Sequence, residues 1–317
     1  MANIPHEAQI LISTIKVARP IHWVKNLALF AALIFTGGLF NRILFQQVVW
    51  AFIAFNFATS ATYILNDIID VKSDRLHPVK RNRPIAKGTL PISVAAVEAF
   101  IFATIAISLA HSLSSLFFLL VIGYLFMQAA YSLGLKNLTA IDILIIATGF
   151  VIRVYAGAFA INAHLSVWFL LCVISVALFL ASGKRRAELG LLGKDGKTRK
   201  SLQLYSRDLL NSYVTMFGNA AWMSWALFTF YESPKAARPI WLILAEFSET
   251  TTIDKLLMAT IPVTIFGIMR YESLIFEGRA ETPEKLLLTD NALVASVVIW
   301  VAMVIWILYG GVSITVA

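Results

Sequence analysis

The chain has 317 residues, of which 59% are hydrophobic and 14% are charged, whereas an ordinary soluble domain carries about 25% charged residues. This composition, with a mean hydropathy of +0.79, excludes a typical soluble protein. The single cysteine, Cys172, excludes an intrachain disulfide framework and leaves no plausible ligand set for a structural zinc ion. The formal net charge of +8 has to be interpreted through membrane topology before nucleic-acid binding is considered.

Apolar runs approach the ~20 residues needed to cross a bilayer at nine places. They are predicted at residues 27–40, 47–65, 92–110, 116–133, 138–161, 166–182, 209–230, 256–269 and 292–309. The sequence therefore predicts an all-α, polytopic membrane protein with nine transmembrane helices in a single domain over residues 1–317. Residues 8–19 are typical of an interfacial helix leading to Pro20. The apolar stretch 241–247 is too short to span and is expected to be re-entrant or interfacial.

Basic residues are distributed unequally between the two sides of these predicted spans. Of the 26 Lys and Arg residues, 21 fall on the side of the N-terminus and four on the other, with Arg153 inside a span. By the positive-inside rule we expect a cytoplasmic N-terminus, an external C-terminus, and cytoplasmic segments after spans two, four, six and eight of a plasma-membrane protein. Most of the basic excess is then topological, and no nucleic-acid partner is predicted.

An acidic cluster follows the second predicted span. It consists of three aspartates, Asp67, Asp70 and Asp74, and the neighbouring Asn66. At 100° per residue they would share about a third of a helix surface, so the three carboxylates are expected to converge. Clustered carboxylates suit Mg²⁺, which completes its coordination with water and substrate phosphates. We therefore expect these aspartates to bind Mg²⁺ and a phosphate-bearing substrate, with a solvated acidic helix end as the alternative.

A basic run follows the acidic cluster directly, between His77 and Gly88. It contains Lys80, Arg81, Arg83 and Lys87. Pro fixes φ and Gly permits a left-handed backbone, so Arg83-Pro84 to Gly88 is expected to form a structured turn that directs side chains. The first three basic residues are candidates for contact with a diphosphate or an acceptor phosphate. Membrane topology alone is the alternative explanation of their charge.

Residues 66–88 resemble the first aspartate-rich motif of the UbiA superfamily of intramembrane prenyltransferases, with the sequence N-D-I-I-D-V-K-S-D-R-L-H-P-V-K-R-N-R-P-I-A-K-G. Shorter motifs are similar to its decaprenyl-phosphate phosphoribosyltransferase branch: R-P-I-H-W-V-K-N at 19–26, L-K at 135–136 with Asp142, G-F-V-I-R-V-Y-A-G at 149–157 and R-Y-E-S-L at 270–274. The resemblance covers nearly the whole chain. It implies a nine-helix bundle with a cytoplasmic active site. It also implies Mg²⁺-dependent transfer of 5-phosphoribosyl from phosphoribosyl diphosphate to a polyprenyl phosphate, for arabinose precursors of the cell envelope.

The loop after the sixth predicted span departs from the pattern of that superfamily. An ordinary member has a second aspartate-rich motif there, whereas this chain has S-G-K-R-R-A-E-L over residues 182–189. One carboxylate among three bases favours a donor with an additional phosphate, because Lys and Arg form charge-assisted hydrogen bonds with phosphate. Lys184, Arg185 and Arg186 are therefore expected to bind the 5-phosphate of phosphoribosyl diphosphate. A cytoplasmic charge run without a ligand is the alternative.

Further candidates for substrate contact are Lys25, Tyr131, Lys136, Asp142 and Arg153, with Asn66 as a polar ligand beside the carboxylates. Asp142 and Arg153 are eleven residues apart, so they would face one side of span five and line one cavity. A charge inside a span is costly unless it faces protein or a polar cavity, and a structural pairing of Arg153 is equally compatible. Lys25 would reach the same cytoplasmic mouth, or it would be a snorkelling anchor.

Two other functions stay open from the residues alone. A UbiA enzyme would instead move a prenyl group from prenyl diphosphate to an aromatic or other small acceptor, although the missing second aspartate cluster argues against it. A transporter would also have nine spans, but no paired interrupted helices or midplane carboxylates indicate a translocation site. The polyprenyl length, the number of metal ions and the oligomeric state, a homo-oligomer included, are not fixed by the sequence.

Overall fold

The computed structural model describes residues 6–77, 79–191, 202, 204–232, 253–277, 286 and 289–310. Within these residues every regular element is a helix, which confirms the predicted all-α class. The α-helices are α1 (His6–Val17), α2 (Phe30–Phe35), α3 (Arg42–Ile69), α4 (Val71–Leu76), α5 (Pro84–Lys87), α6 (Ile92–Leu113), α7 (Ser115–Leu133), α8 (Ile141–Ala160), α9 (Val167–Leu191), α10 (Arg207–Tyr231), α11 (Ile261–Phe276) and α12 (Asn291–Tyr309). Short 3-10 helices occur at Pro20–Leu29, Lys80–Asn82, Leu135–Asn137 and Ile253–Thr260.

Seven described helices are long and apolar enough to cross a membrane: α3, α6, α7, α8, α9, α12, and α11 with the preceding turn from Lys255. Helix α10 is not one of these seven, but it has 25 residues and packs along α9. The hydropathy pattern therefore predicted a multi-pass architecture correctly, because a helix must be apolar over its whole length to cross lipid. Two predicted features lie outside the described residues: the short segment at 241–247 and the part of the basic loop at 192–201.

The predicted first span is not one continuous helix. Pro20–Leu29 is a 3-10 helix, and a short α-helix, Phe30–Phe35, follows it. We call residues 20–35 the broken segment. It lies directly against α8, because a Cβ built on Gly157 would be 1.9 Å from the carbonyl oxygen of Leu29. Only a glycine in α8 permits this backbone contact.

Helix α1 occupies the predicted position before Pro20. Its Ile10 and Val17 pack into an apolar cluster with α3, α5 and α6. Its Leu11 and Ile15 are 64% and 58% exposed. An exposed apolar side beside Lys16 is typical of a helix that lies in the membrane interface.

Helix α8 connects the two largest apolar clusters of the bundle. One cluster joins it to α3, α6 and α7 and includes Phe55 and Phe117. The other joins it to α9, α10 and α12 and includes Phe169, Trp225 and Phe228. This packing brings the last turns of α3, α7 and α9 to the same end of the bundle as the first turns of α8 and α10, and the polar residues of the chain concentrate at that end.

Candidate functional site

Asp67, at the end of α3, and Asp74, on α4, both accept hydrogen bonds from Arg83. Both carboxylates are buried. The Nη1 of Arg83 donates to Asp67 Oδ1 at 2.9 Å and to Asp74 Oδ2 at 2.6 Å. The Nη2 of Arg19 donates to the same oxygen of Asp67 at 2.5 Å. The basic turn therefore reaches the acidic cluster through Arg83, which the sequence had proposed only as a phosphate contact.

Arg19 is a site residue that sequence reasoning missed. Its φ of 54° is left-handed, which is uncommon for a residue with a Cβ. Its guanidinium also lies 5.0 Å from the ring centroid of Tyr63. The available signal was its position at the head of the R-P-I-H-W-V-K-N motif, directly before Pro20, where the chain has to turn from α1 into the broken segment.

Asp70 has a different partner from its neighbours. It joins the end of α3 to the start of α4. The ε-amine of Lys136 donates to Asp70 Oδ1 at 2.5 Å and to Asn66 Oδ1 at 3.3 Å. Lys136 is only 7% exposed, so a buried lysine from the turn after α7 compensates the charge of this aspartate.

The expected convergence of three carboxylates is wrong in this structure. Asp67 and Asp74 lie around Arg83, whereas Asp70 faces Lys136. The physical reason is that α3 ends at Ile69, so residues 66–74 are not one straight helix. The like charges are also separated because they pair with different cations. In the part of the chain that the structure describes, no group of three acidic, His or Cys side chains is arranged to hold a metal ion.

Burial and neighbouring charges both shift the pKa values of Asp74 and His77. Burial raises the pKa of Asp74 above its usual value, and Arg83 and Lys80 oppose that increase. Burial lowers the pKa of His77, and Lys80 lowers it further, while Asp74 and Glu188 act in the opposite direction. His77 therefore lies within the electrostatic influence of both the acidic cluster and the end of α9.

Residues 83–88 form the structured turn that Pro84 and Gly88 predicted. Gly88 ends α5 with a φ of 82°, and the Nε of Arg75 donates to the carbonyl of Ala86 at 3.2 Å, which ties α4 to α5. Lys80 is partly buried and Arg81 is exposed. Lys80 acts electrostatically on Asp74, and Arg83 donates to both aspartates.

Arg185 is the centre of a second polar cluster, which we call the Arg185 network. The side chain is completely buried. Its Nε lies 2.7 Å from Asp142 Oδ2, its Nη2 donates to the hydroxyl of Tyr131 at 2.9 Å, and its Nη1 donates to Glu188. Two carboxylates compensate its charge, and the pair of Arg185 with Asp142 joins α9 to α8 beside the acidic cluster.

Tyr205 completes the Arg185 network and was not predicted. Its hydroxyl accepts from the backbone N–H of Ala140 at 2.6 Å and donates to Asp142 Oδ1 at 2.8 Å. Ala140 has a left-handed φ of 64°, so Tyr205 supports a strained residue at the start of α8. Burial raises the pKa of Tyr205 well above its usual range. A lone tyrosine before α10 carries no sequence signal for this role.

Lys184 and Arg186 do not face Arg185. The Nε of Arg186 donates to Asn211 Oδ1 at 2.6 Å, and its guanidinium lies 5.8 Å from the ring centroid of Phe276. Lys184 is partly buried. Consecutive residues on a helix point about 100° apart, so the buried Arg185 points away from both of its neighbours.

Arg153 belongs to a third cluster, deeper in the bundle. Its Nε donates to Asn26 Oδ1 at 2.7 Å, and it is only 5% exposed. Asp142 and Arg153 are about 16 Å apart along α8 at 1.5 Å per residue. The two side chains therefore have separate partners in this structure, Arg185 and Tyr205 for Asp142 and Asn26 for Arg153. Lys25, next to Asn26, places its ammonium 6.0 Å from the ring centroid of Phe150.

The two clusters at the bundle end are connected through α7. Tyr131, near the end of that helix, contacts Arg185, and Lys136, in the turn that follows, contacts Asp70. Glu188 acts on both Arg185 and His77. The predicted acidic motif, the turn after α7 and the end of α9 therefore meet in one polar region rich in both carboxylates and basic groups.

The amino-acid sequence is similar to that of several named proteins. The sequence profile of the UbiA prenyltransferase family matches residues 27–183. A decaprenyl-phosphate phosphoribosyltransferase from Corynebacterium glutamicum is 36% identical over 302 residues, which cover 93% of this chain and 86% of that protein. The protein of the same name from Mycobacterium tuberculosis is 33% identical over 302 residues, covering 94% of each chain.

Solved structures share the fold. A UbiA homolog from Archaeoglobus fulgidus bound to GPP and Mg²⁺ aligns with a TM-score of 0.65 and 16% identity, covering 93% of this chain and 97% of that one. Its complex with DMAPP and Mg²⁺ aligns with a TM-score of 0.66 and 15% identity over 92% and 99%. The motif order, the sequence relatives and the shared fold agree, and the chain belongs to the UbiA prenyltransferase family.

Proposed function

We propose that this chain transfers the 5-phosphoribosyl group of phosphoribosyl diphosphate to a polyprenyl phosphate and releases diphosphate. The observation that carries the proposal is the similarity to decaprenyl-phosphate phosphoribosyltransferases over more than nine-tenths of this chain. The polar region supports it, because acidic and basic side chains from the end of α3, the turn after α7 and the end of α9 meet there. Such a region suits a substrate with several phosphates.

The chemical step needs few special groups. The acceptor phosphate oxygen forms a bond to C1 of the ribose while the bond from C1 to the diphosphate oxygen breaks. Attack from the opposite face inverts an α donor to a β product. The nucleophile is already anionic, so no side chain has to remove a proton from it. The protein contributes positioning and stabilisation of the leaving diphosphate.

Arg19, Arg83 and Lys136 are the cations closest to the acidic cluster. Each donates to an aspartate at 2.9 Å or less. When the donor binds, we expect them to donate to its diphosphate oxygens instead, because phosphate accepts charge-assisted hydrogen bonds at least as readily as carboxylate does. Their charge then opposes the negative charge that develops on the leaving group.

The donor atoms of the acidic cluster fit a divalent cation. The carboxylates of Asp67, Asp70 and Asp74 and the amide oxygen of Asn66 are hard oxygen ligands of the type that Mg²⁺ prefers. Each aspartate now accepts from Arg or Lys, so these residues would hold Mg²⁺ only after the cations move to the phosphates. The ion would supply neutralisation of diphosphate charge. The neighbouring UbiA homolog that is bound to Mg²⁺ supports this assignment.

Metal use is tested by binding as well as turnover. We expect Asp70→Asn and Asp74→Asn to abolish the Mg²⁺-dependent part of donor binding, measured by calorimetry in detergent with and without the ion. The exposed Asp208→Asn, on α10, is the matched control. Normal metal-dependent donor binding in both variants would exclude these aspartates as ligands.

The other basic candidates would contact the remaining phosphates of the two substrates. Lys184 and Arg186 would contact its 5-phosphate, and Lys80 and Arg81 the phosphate of the acceptor. The polyprenyl tail would leave the site sideways between helices into the bilayer. The product would serve as a precursor of envelope arabinose.

We further propose that the polar region faces the cytoplasm in a single domain of nine membrane crossings. The count comprises the seven long apolar helices, α10 and the broken segment. A cysteine at Ser73 should react only with a cytoplasmic thiol reagent, and one at Arg42 only with an external reagent, after Cys172 is replaced. Cysteines at Gly196 and Ala317, both outside the described residues, should report the cytoplasm and the exterior, respectively. Reaction of Ser73 and Arg42 variants from one side would overturn this orientation.

One assay tests the reaction itself. The purified protein is incubated in detergent with labelled phosphoribosyl diphosphate, Mg²⁺ and a polyprenyl phosphate, and the lipid phase is examined for label. We expect lipid-linked label and an equal amount of free diphosphate. Transfer from a prenyl diphosphate to a small aromatic acceptor, without transfer from phosphoribosyl diphosphate, would establish the prenyltransferase alternative.

A further inference from the structure

Arg153 has an unusual environment for a charge inside a membrane-spanning helix. Its Nε donates to Asn26 Oδ1, its Nη1 to the carbonyl of Gly149, and the hydroxyl of Tyr124 lies 3.5 Å from its Nη2. Aromatic rings surround its guanidinium, each with a centroid 5.6 Å away: Phe55, Tyr124 and Phe150. Among the described residues no carboxylate pairs with it. The charge is therefore stabilised by neutral acceptors and cation–π contacts alone.

The amide of Asn26 is held in one orientation. Its oxygen accepts from Arg153, and its Nδ2 donates to Asn56 Oδ1 at 2.6 Å and to Thr59 Oγ1 at 3.2 Å. Asn26 is completely buried. A single side chain of the broken segment thus joins α3 to α8. One turn further along both elements, Leu29 contacts the backbone at Gly157.

The broken segment has little stability of its own. Its first ten residues are a 3-10 helix, whose hydrogen bonds have poorer geometry than those of an α-helix. The residue before it, Arg19, has a left-handed backbone and contacts Asp67. Lys25 precedes Asn26 directly and lies near Phe150, a ring that also flanks Arg153. Asn26 therefore lies next to Lys25 in the segment that Arg19 directly precedes. Trp23 also holds this segment to α3 by donating to the hydroxyl of Ser60 at 3.1 Å.

We propose that Arg153 is a positioning residue that fixes the broken segment through Asn26, so that Arg19 and Lys25 face the phosphates of the donor. This inference rests on the proposed function for the identity of the donor. The guanidinium is needed because its Nε donates to the broken segment while its Nη1 donates to α8 and its Nη2 reaches the Tyr124 hydroxyl on α7. The single ammonium of lysine cannot reproduce these contacts from the same place.

The first test is a double-mutant cycle. Arg153→Met should raise the KM for phosphoribosyl diphosphate by about ten-fold or more, because small displacements of binding groups have large kinetic effects, and should leave the KM for the lipid acceptor within about two-fold. Arg153→Lys should recover part of the loss. In a Lys25→Ala background the same change should raise the donor KM much less, because Arg153 acts through that residue. Additive effects, or equal increases in both KM values, would overturn the proposal.

The second test does not depend on turnover. A cysteine replaces the partly buried Val24 in a background without Cys172, and its reaction rate with a soluble thiol reagent is measured. Arg153→Met and Arg153→Lys should each increase that rate several-fold, whereas Thr148→Val, an exposed position on the same helix, should not. An unchanged rate in both Arg153 variants would overturn the proposal. If the wild-type protein does not use phosphoribosyl diphosphate, the proposed function fails, and the labelling rates still decide whether Arg153 fixes the segment.

Discussion

Arg185 and Asp142 form an ion pair that is almost completely removed from solvent. The Nε of Arg185 lies 2.7 Å from Asp142 Oδ2, and the two side chains are 1% and 0% exposed. Removing one partner of such a pair is far more costly than removing both, because a buried charge is then left without compensation. The pair joins α8 to α9 next to the polar region.

The Asp142→Asn substitution should destabilise the fold by about 3 kcal/mol, the low end of the range for a broken buried pair, because Glu188 still faces Arg185. Thermal and denaturant unfolding in detergent measure the loss. The control Asp208→Asn, on the exposed first turn of α10, should cost less than about 1 kcal/mol. The double variant Asp142→Asn/Arg185→Gln should recover part of the stability. Wild-type stability in Asp142→Asn alone would contradict the assigned pairing.

A second ion pair gives a prediction for pH. Arg270 donates twice to Asp290, at 2.7 and 3.1 Å, and these bonds lower the pKa of Asp290 from 3.8 to about 2. Because the folded pKa lies below the unfolded value, the carboxylate stabilises the fold above about pH 4 and loses that contribution as the pH falls toward about 2. The Tm difference between the wild type and Asp290→Asn should therefore be constant between about pH 7 and pH 5 and should narrow below about pH 4.

Asn is a suitable replacement because it can still accept from the N–H of Leu293, the capping bond that Asp290 makes at the start of α12. The pH dependence then reports the ionisation of Asp290, whose pKa is lowered most by the Arg270 bonds and further by the N–H of Leu293. A Tm difference that widens with acidification would have the wrong sign for this carboxylate.

Hydropathy located most of the helices because crossing lipid imposes an apolar composition along the whole element. It could not locate the break at residues 20–35. The contacts that accompany the break join Asn26 to Arg153 and Leu29 to Gly157, and the first pair is separated by 127 residues along the chain. A local pattern carries no record of partners so distant.

The same limit applies to the site. The spacing of the acidic motif and the structured turn at Gly88 were predictable from residue types. The pairing was not, because Arg19 and Lys136 reach Asp67 and Asp70 from 48 and 66 residues away. The three consecutive bases of α9 show the opposite error. Their proximity in sequence suggested that all three bind one phosphate, although helix geometry points Arg185 away from Lys184 and Arg186.

The contact of Leu29 with α8 gives a steric prediction. Gly157→Ala would place a Cβ 1.9 Å from the Leu29 carbonyl oxygen, so the broken segment has to move, at a cost of about 1–3 kcal/mol or more. Gly123→Ala is the matched control, since a Cβ there has no atom within 4 Å and alanine stabilises a helix by roughly 0.5–1 kcal/mol relative to glycine. Thermal unfolding in detergent should separate the two variants clearly. Equal stability would show that Leu29 and Gly157 are not in contact.

The bases of α9 distinguish the two donors that the family offers. If Lys184 and Arg186 contact the 5-phosphate, replacing either with Ala removes a charge-assisted hydrogen bond worth roughly 1.5–3 kcal/mol. The KM for phosphoribosyl diphosphate should then rise about ten-fold to a hundred-fold, while the KM for the lipid acceptor changes much less. Arg185→Ala should instead reduce stability, because that side chain is buried between two carboxylates.

Donor discrimination makes this last prediction specific. The wild type should prefer phosphoribosyl diphosphate to ribose 1-diphosphate by a similar factor, because only the former offers a 5-phosphate to these bases. That preference should fade in the Lys184→Ala and Arg186→Ala variants and persist in Lys16→Ala, a control on α1 far along the chain. If all three variants keep the wild-type preference, the 5-phosphate binds elsewhere, and the exposed bases of the turn before Gly88 become the next candidates.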